Sequence, residues 1–224
     1  MSAGLRPHGV TLVVLAKEPI PGRVKTRLAP AVGASGAARL AEAALADTLE
    51  AVAEAALGGG NRTLLALDGN PGEWIPPGFD VVPQRGCGLA ERLAAAFEDA
   101  AGAALLVGMD TPQITPATLT SACGQLCAPG TDAVIGLAED GGWWTLGMRE
   151  PHPLAFRGVP MSEANTGAAQ LEALAALGLA TRRLAPLRDV DTIDDAVAVA
   201  AETPGSRFAA ALAELLTASP SAER

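Results

Sequence analysis

The chain has 224 residues, 49% hydrophobic and 18% charged, so it can bury a sizeable core and is not a disordered chain. Its formal net charge is −9 and it has no run of lysine or arginine, which excludes the basic stripe of a nucleic-acid-binding surface. The length suits one α/β domain over residues 1–224 better than two small ones, with residues 219–224 expected as a frayed tail.

The apolar run Val10–Ala16 suits a strand buried on both faces of a parallel sheet. It is too short to cross a membrane, and no signal peptide is evident, so a cytoplasmic protein without a membrane partner is expected. The prolines and glycine of Lys17–Gly22 end the strand. The Ala-rich stretch from Ser35 to Leu57 predicts a helix stopped by Gly58-Gly59-Gly60. Strands are predicted at Arg62–Leu67, Phe79–Val82 and Ala104–Val107, with a helix at Glu91–Ala101 between the last two. A helix at Thr115–Cys127 is followed by strands at Ala133–Leu137 and Trp143–Met148. A helix at Ser162–Leu177, a short strand at Arg182–Leu184 and helices at Ile193–Ala201 and Arg207–Leu216 complete the chain. Strands alternating with helices imply a mostly parallel sheet covered on both faces. Ligands of such sheets lie beyond the carboxyl ends of the strands, so the loops after Ala16, Val107 and Leu137 are where chemistry is expected.

Four constellations stand out. Gly22-Arg23-Val24-Lys25-Thr26-Arg27 sets three cations in five residues directly after a buried strand, a candidate phosphate clamp without the Walker A spacing. Asp110, in Gly108-Met109-Asp110-Thr111-Pro112, closes a strand and offers a carboxylate to a hard metal that also takes substrate phosphates; a turn or cap aspartate is the plainer alternative. Glu139-Asp140-Gly141-Gly142-Trp143-Trp144 combines two carboxylates, a glycine pair and two of the three tryptophans. It reads either as a substrate pocket or as a hairpin turn with a tryptophan anchor. In the last, Thr192 with Asp195 forms a capping-box pattern, while the alternating Asp189 and Asp191 share one face of an extended segment. Asn165 and Thr166 are weaker candidates for the pocket.

Cys87, Cys123 and Cys127 fit neither a zinc ribbon nor a redox pair, and Cys123 and Cys127 are expected as small core residues in a reducing compartment. His8 and His152 are isolated and are expected to be surface or structural residues.

The segments VLAKEPIPGRVKTRLAP, QRGCGLAERL, GMDTP, AEDGGWWTLGM and DVDTIDD, in this order, resemble the DUF2064 family of bacterial proteins. That family is often labelled as glycosyltransferases, with some members tied to arsenosugar biosynthesis. It belongs to the nucleotide-diphospho-sugar transferase superfamily, whose GT-A fold is a three-layer α/β/α sandwich around a mostly parallel sheet. The KTRLAP segment is also similar to that of the 2-phospholactate guanylyltransferases. The resemblance implies that Lys17, Gly22, Arg23, Lys25, Thr26 and Arg27 hold nucleotide phosphates and that Asp110 holds Mg²⁺ or Mn²⁺. It implies that Asp191, or Asp189, completes the metal position and that Asp140, with Glu139, Gly141, Gly142 and Trp143, faces the substrate. Lys25, Arg27, Asp110 and Asp140 are the expected catalytic residues. Two positions depart from the family pattern: Trp143 stands where tyrosine is usual, and Gly88 where an acidic residue is usual.

The expected activity is metal-dependent nucleotidyl transfer from a nucleoside triphosphate to a small phosphorylated acceptor. Glycosyl transfer from a nucleotide sugar and nucleotide binding without turnover are the alternatives. No heptad pattern fixes an oligomeric state, and a homodimer is compatible with the sequence.

Overall fold

The computed structural model describes residues 9–218. The expectations for His8 and for residues 219–224 lie outside them. Thirteen elements alternate along these residues: β1 (Thr11–Lys17), α1 (Ala29–Gly59), β2 (Thr63–Asp68), β3 (Phe79–Pro83), α2 (Leu89–Ala100), β4 (Ala104–Val107), α3 (Pro116–Cys127), β5 (Ala133–Ala138), β6 (Trp143–Met148), α4 (Thr166–Ala176), β7 (Thr181–Leu187), α5 (Ile193–Glu202) and α6 (Arg207–Ala218). The strands form one seven-stranded sheet in the order β3-β2-β1-β4-β6-β5-β7. β6 runs antiparallel to both β4 and β5, and the other pairings are parallel. The Asp-Gly turn is therefore a hairpin turn, and it also brings the start of β6 to the edge where the parallel strands end.

The core follows from strand alternation. Leu12, Val14 and Ala16 of β1 face the layer of α1 and α3, whereas Val13 and Leu15 face the layer of α2 and α4. β4 divides likewise, with Leu105 and Val107 on the first face and Leu106 on the second. Helices α5 and α6 pack on the outer side of α1 through Val199, Phe208 and Leu212. With aromatics at 3%, this packing rests on Ala, Leu and Val. No helix among the described residues is long and apolar enough to cross a membrane.

Three local expectations are corrected. The first helix begins earlier than Ser35, at Ala29, but Gly33 (φ 74°) breaks it, so the long straight part starts close to the expected residue. The fourth helix begins at Thr166 instead of Ser162, because Ser162 adopts a left-handed conformation (φ 62°) and the Thr166 hydroxyl closes a turn with Glu163 and Pro160. Cys123 is buried as expected, but Cys127, at the end of α3, is exposed. Burial, and then the neighbouring Cys127, push the Cys123 thiol up to about 12, which keeps it unreactive at neutral pH.

Candidate active site

An open cavity of about 960 Å³ lies along the carboxyl ends of the parallel strands. The loops after β1, β4 and β5 all reach it, as does the segment after β7. Of the residues singled out in the sequence, Lys17, Arg23, Lys25, Thr26, Arg27, Asp110, Asp140, Gly142, Trp143, Asp189 and Asp191 line it.

Lys25 joins three of these loops. Its backbone is left-handed (φ 46°), and its side chain is only 6% exposed. The ammonium lies 2.5 Å from Oδ1 of Asp110 and donates to the Val190 carbonyl. The Val190 amide in turn donates to the Asp110 carbonyl at 2.9 Å. Next to it, Arg27 pairs with Asp191 at 2.7 Å, tying the first loop to the segment after β7 through exposed side chains. Neither cation is free in the sense a solvated clamp would be. Each is already held against the carboxylate expected to hold metal.

The acidic side is crowded. Burial, and then the charges of Asp110 and Asp140, raise the Asp189 carboxyl to about 7, with Lys25 opposing and Asp191 adding to the rise. Asp140 bends back on its own turn, accepting from the Gly142 amide at 2.8 Å. The donor chemistry of Asp110, Asp189 and Asp191 suits a hard divalent cation, and their mutual repulsion is what such a cation relieves. Among the described residues no group of three or more His, Cys, Asp or Glu is gathered to hold a metal. The fit is thus to a cation held by one or two of these carboxylates together with ligand oxygens.

Three expected residues lie elsewhere. Glu139 does not line the cavity and pairs with Arg188 at 2.9 Å. Gly141 (φ 94°) is pressed against the turn before α4: a Cβ there would fall 1.8 Å from the Ala164 carbonyl oxygen. Its own carbonyl accepts from the Gly167 amide at 2.8 Å. Gly22 (φ 80°) shapes the first loop without lining the cavity. Thr166 lines the cavity with its hydroxyl consumed in the turn, and Asn165 does not. His152 lies outside it and accepts from the Leu154 amide.

Sequence reading missed a second polar group in the wall. Arg92 of α2 donates to Asp68 at the end of β2 (2.7 Å) and to Gln84 just after β3 (3.3 Å). Gln84 donates onward to the Ala16 and Ala66 carbonyls. The Arg92 hydrogen bond holds the Asp68 carboxyl below its usual range against the opposing effect of burial; the charges of Arg92, Arg23 and Lys17 also lower it. The signal available was Gln84 and Arg92 near the two ends of QRGCGLAERL, but the carboxylate that completes the group, Asp68, lies 24 residues before Arg92, in β2.

The profile of a family described as "Uncharacterized protein conserved in bacteria (DUF2064)" matches residues 39–163, more than half of the chain. Those residues include Asp110 and the Asp140 turn. A crystal structure from Desulfovibrio desulfuricans G20, provisionally described as a nucleotide-diphospho-sugar transferase, is similar to this chain with 26% identity and a TM-score of 0.82. The likeness covers 93% of this chain and 97% of that one. The fold is shared with CMP:2-keto-3-deoxy-manno-octonic acid synthetase complexed with CTP (14% identity, TM-score 0.54, 88% and 98% of the two chains). It is also shared with 2-C-methyl-D-erythritol 4-phosphate cytidylyltransferase from Thermus thermophilus (14% identity, TM-score 0.52, 92% and 98%). No curated protein matches the sequence.

Proposed function

The chain belongs to the DUF2064 family, and from that premise we propose that it is a nucleotide-utilising transferase whose reaction is nucleotidyl transfer to a small phosphorylated acceptor. One observation carries this reading: Lys25 and Arg27 meet Asp110 and Asp191 across the mouth of the sheet, in a cavity that Arg23 and Lys17 also line. Lys17 at the end of β1 and Arg23 in the loop after it, beside the paired Lys25 and Arg27, gather cationic side chains suited to a triphosphate, which carries more charge than a diphosphate sugar.

In this reading an oxygen of the acceptor phosphate attacks the α-phosphorus, and the bond to the β-phosphate oxygen breaks as pyrophosphate leaves. Arg23, Lys17 and Arg27 bind the non-bridging oxygens, and Lys25 holds the Asp110 loop in place beside them. The reaction needs positioning and charge stabilisation more than covalent chemistry from the protein. Asp110, with Asp189 or Asp191, would hold a Mg²⁺ or Mn²⁺ ion, which when bound neutralises phosphate charge.

Glycosyl transfer from a nucleotide sugar is the second reading, favoured by the description of the D. desulfuricans protein. Incubation with Mg²⁺ and the four nucleoside triphosphates, each with a panel of small phosphate esters, and then with UDP- and GDP-sugars, separates the two. Pyrophosphate release supports nucleotidyl transfer. Free nucleoside diphosphate with no pyrophosphate replaces it by glycosyl transfer, and neither product removes both.

A further inference from the structure

We infer that Arg27 is a switch: its pair with Asp191 is an autoinhibitory contact, and Arg27 passes to the ligand phosphates when a divalent cation takes that carboxylate. The inference rests on the transferase reading above for the ligand and the cation, and adds a coupling between them.

Carboxylates outnumber cations among the side chains that line the cavity, so a polyanion enters an acidic cleft. Of its lysines and arginines, Lys25, Arg27 and Arg92 pair with Asp110, Asp191 and Asp68 respectively. Lys17 and Arg23 have no such partner among the described residues. The three pairs are not alike. Lys25 is 6% exposed and has a second anchor in the Val190 carbonyl. Arg92 also donates to Gln84. Arg27 has Asp191 as its single side-chain partner among the described residues, and its side chain is 72% exposed.

The backbone on both sides of the Arg27–Asp191 pair is fixed. The buried side chains of Lys25 and Leu28 bracket Arg27. Asp191 follows the buried Val190 and precedes the capping box of Thr192 and Asp195. Exchange therefore needs only rotation of the Arg27 side chain. An exposed ion pair is weak, so a ligand can break it at small cost. While it stands, each residue neutralises the charge that the other would offer a ligand. Breaking it for one ligand frees the second residue for the other. Nucleotide and cation then strengthen each other's binding by the same factor.

The test is calorimetric titration of the intact protein with ATP, CTP, GTP and UTP, in EDTA and in Mg²⁺, using the triphosphate that wild type binds most tightly in Mg²⁺. In EDTA, Asp191→Asn is expected to bind it about two- to fivefold more tightly than wild type, the scale of an exposed ion pair. In Mg²⁺ the same variant should bind it at least threefold more weakly, because Asp191 is then a ligand of the ion. In an Arg27→Gln background the gain in EDTA should vanish, since no arginine is left to release; the four proteins form a double-mutant cycle. A gain that persists in that background comes from removing charge in general and overturns the switch. No gain in EDTA, or no loss in Mg²⁺, overturns it too. Asp191→Ser repeats the comparison if thermal melts show that Asp191→Asn fails to fold. If wild type binds triphosphate in Mg²⁺ and the Asp191→Asn effect does not reverse sign between the two conditions, only the switch falls. If wild type binds no triphosphate, the transferase reading falls and the switch with it.

Discussion

At the residue scale, the account turns on Lys25 and Asp189. Lys25 is almost wholly buried between Asp110 and the Val190 carbonyl, so its loss should disturb both the charge balance and the junction of three loops. Lys25→Ala, by releasing the Asp110 loop from its position beside the phosphates, is expected to lower kcat/KM by a factor on the order of 10², the scale of a misplaced catalytic geometry. Steady-state kinetics within twofold of wild type would remove the residue from the mechanism. Asp189 gives a pH signature. Its carboxyl is raised to about 7 from an ordinary 3.8, chiefly by burial and then by Asp110 and Asp140. The folded state therefore binds the proton more tightly than the unfolded state. Stability from this group is complete below about 3.8 and is lost as pH rises through about 7. Asp189→Asn should be more stable than wild type at pH 8, by on the order of a few kcal/mol, and nearly equal to it below pH 4. Denaturant midpoints at the two pH values check this; no gain at pH 8 contradicts the crowding. Residues clustered in sequence, such as Arg23, Lys25 and Arg27, were legible because one loop carries them to one place. Arg92, Asp68 and Gln84 were not, since three separate elements bring them together.

At the element scale, the hairpin turn between β5 and β6 is fixed by its fit against the start of α4. Gly141→Ala would force a left-handed residue to carry a Cβ into the Ala164 carbonyl. Backbone strain alone is about 1–3 kcal/mol, and the clash adds to it, so a loss of several kcal/mol in chemical denaturation is expected. Gly22→Ala, also at positive φ but with nothing within 4 Å, should cost only the strain. Equal losses at the two positions would contradict the packing described. Thr192 makes a capping box with Asp195 at the start of α5, one residue beyond Asp191. Thr192→Ala should cost about 0.5–2 kcal/mol in the same denaturation measurement. Most strands were readable as continuous apolar runs because they are buried on both faces, and the capping box was readable from spacing alone. The start of α4 was not, since Ser162–Asn165 has helical composition and only the left-handed Ser162 and the Thr166 turn hold it outside the helix. The direction of β6 was also hidden, because an Asp-Gly turn names a hairpin without naming its neighbours in the sheet.

At the scale of the whole molecule, the two apolar layers share the strands of one sheet, and α5 and α6 are pinned to α1. We propose that the chain unfolds as one cooperative unit, as the length suggested. Far-ultraviolet dichroism and tryptophan fluorescence should give coincident melts, with Trp74, Trp143 and Trp144 as reporters; two separated transitions would mean independent domains. The sheet also explains why the site forms where it does. Residues far apart in sequence converge because all parallel strands end on one edge, and the antiparallel β6 begins there. The measurement that bears most directly on the function is calorimetric titration of nucleoside triphosphates, with and without Mg²⁺, into wild type and Asp110→Asn. Binding that strengthens with Mg²⁺ and weakens at least tenfold in the variant is the predicted result. Nucleotide affinity indifferent to both the ion and Asp110, or no binding at all, contradicts it.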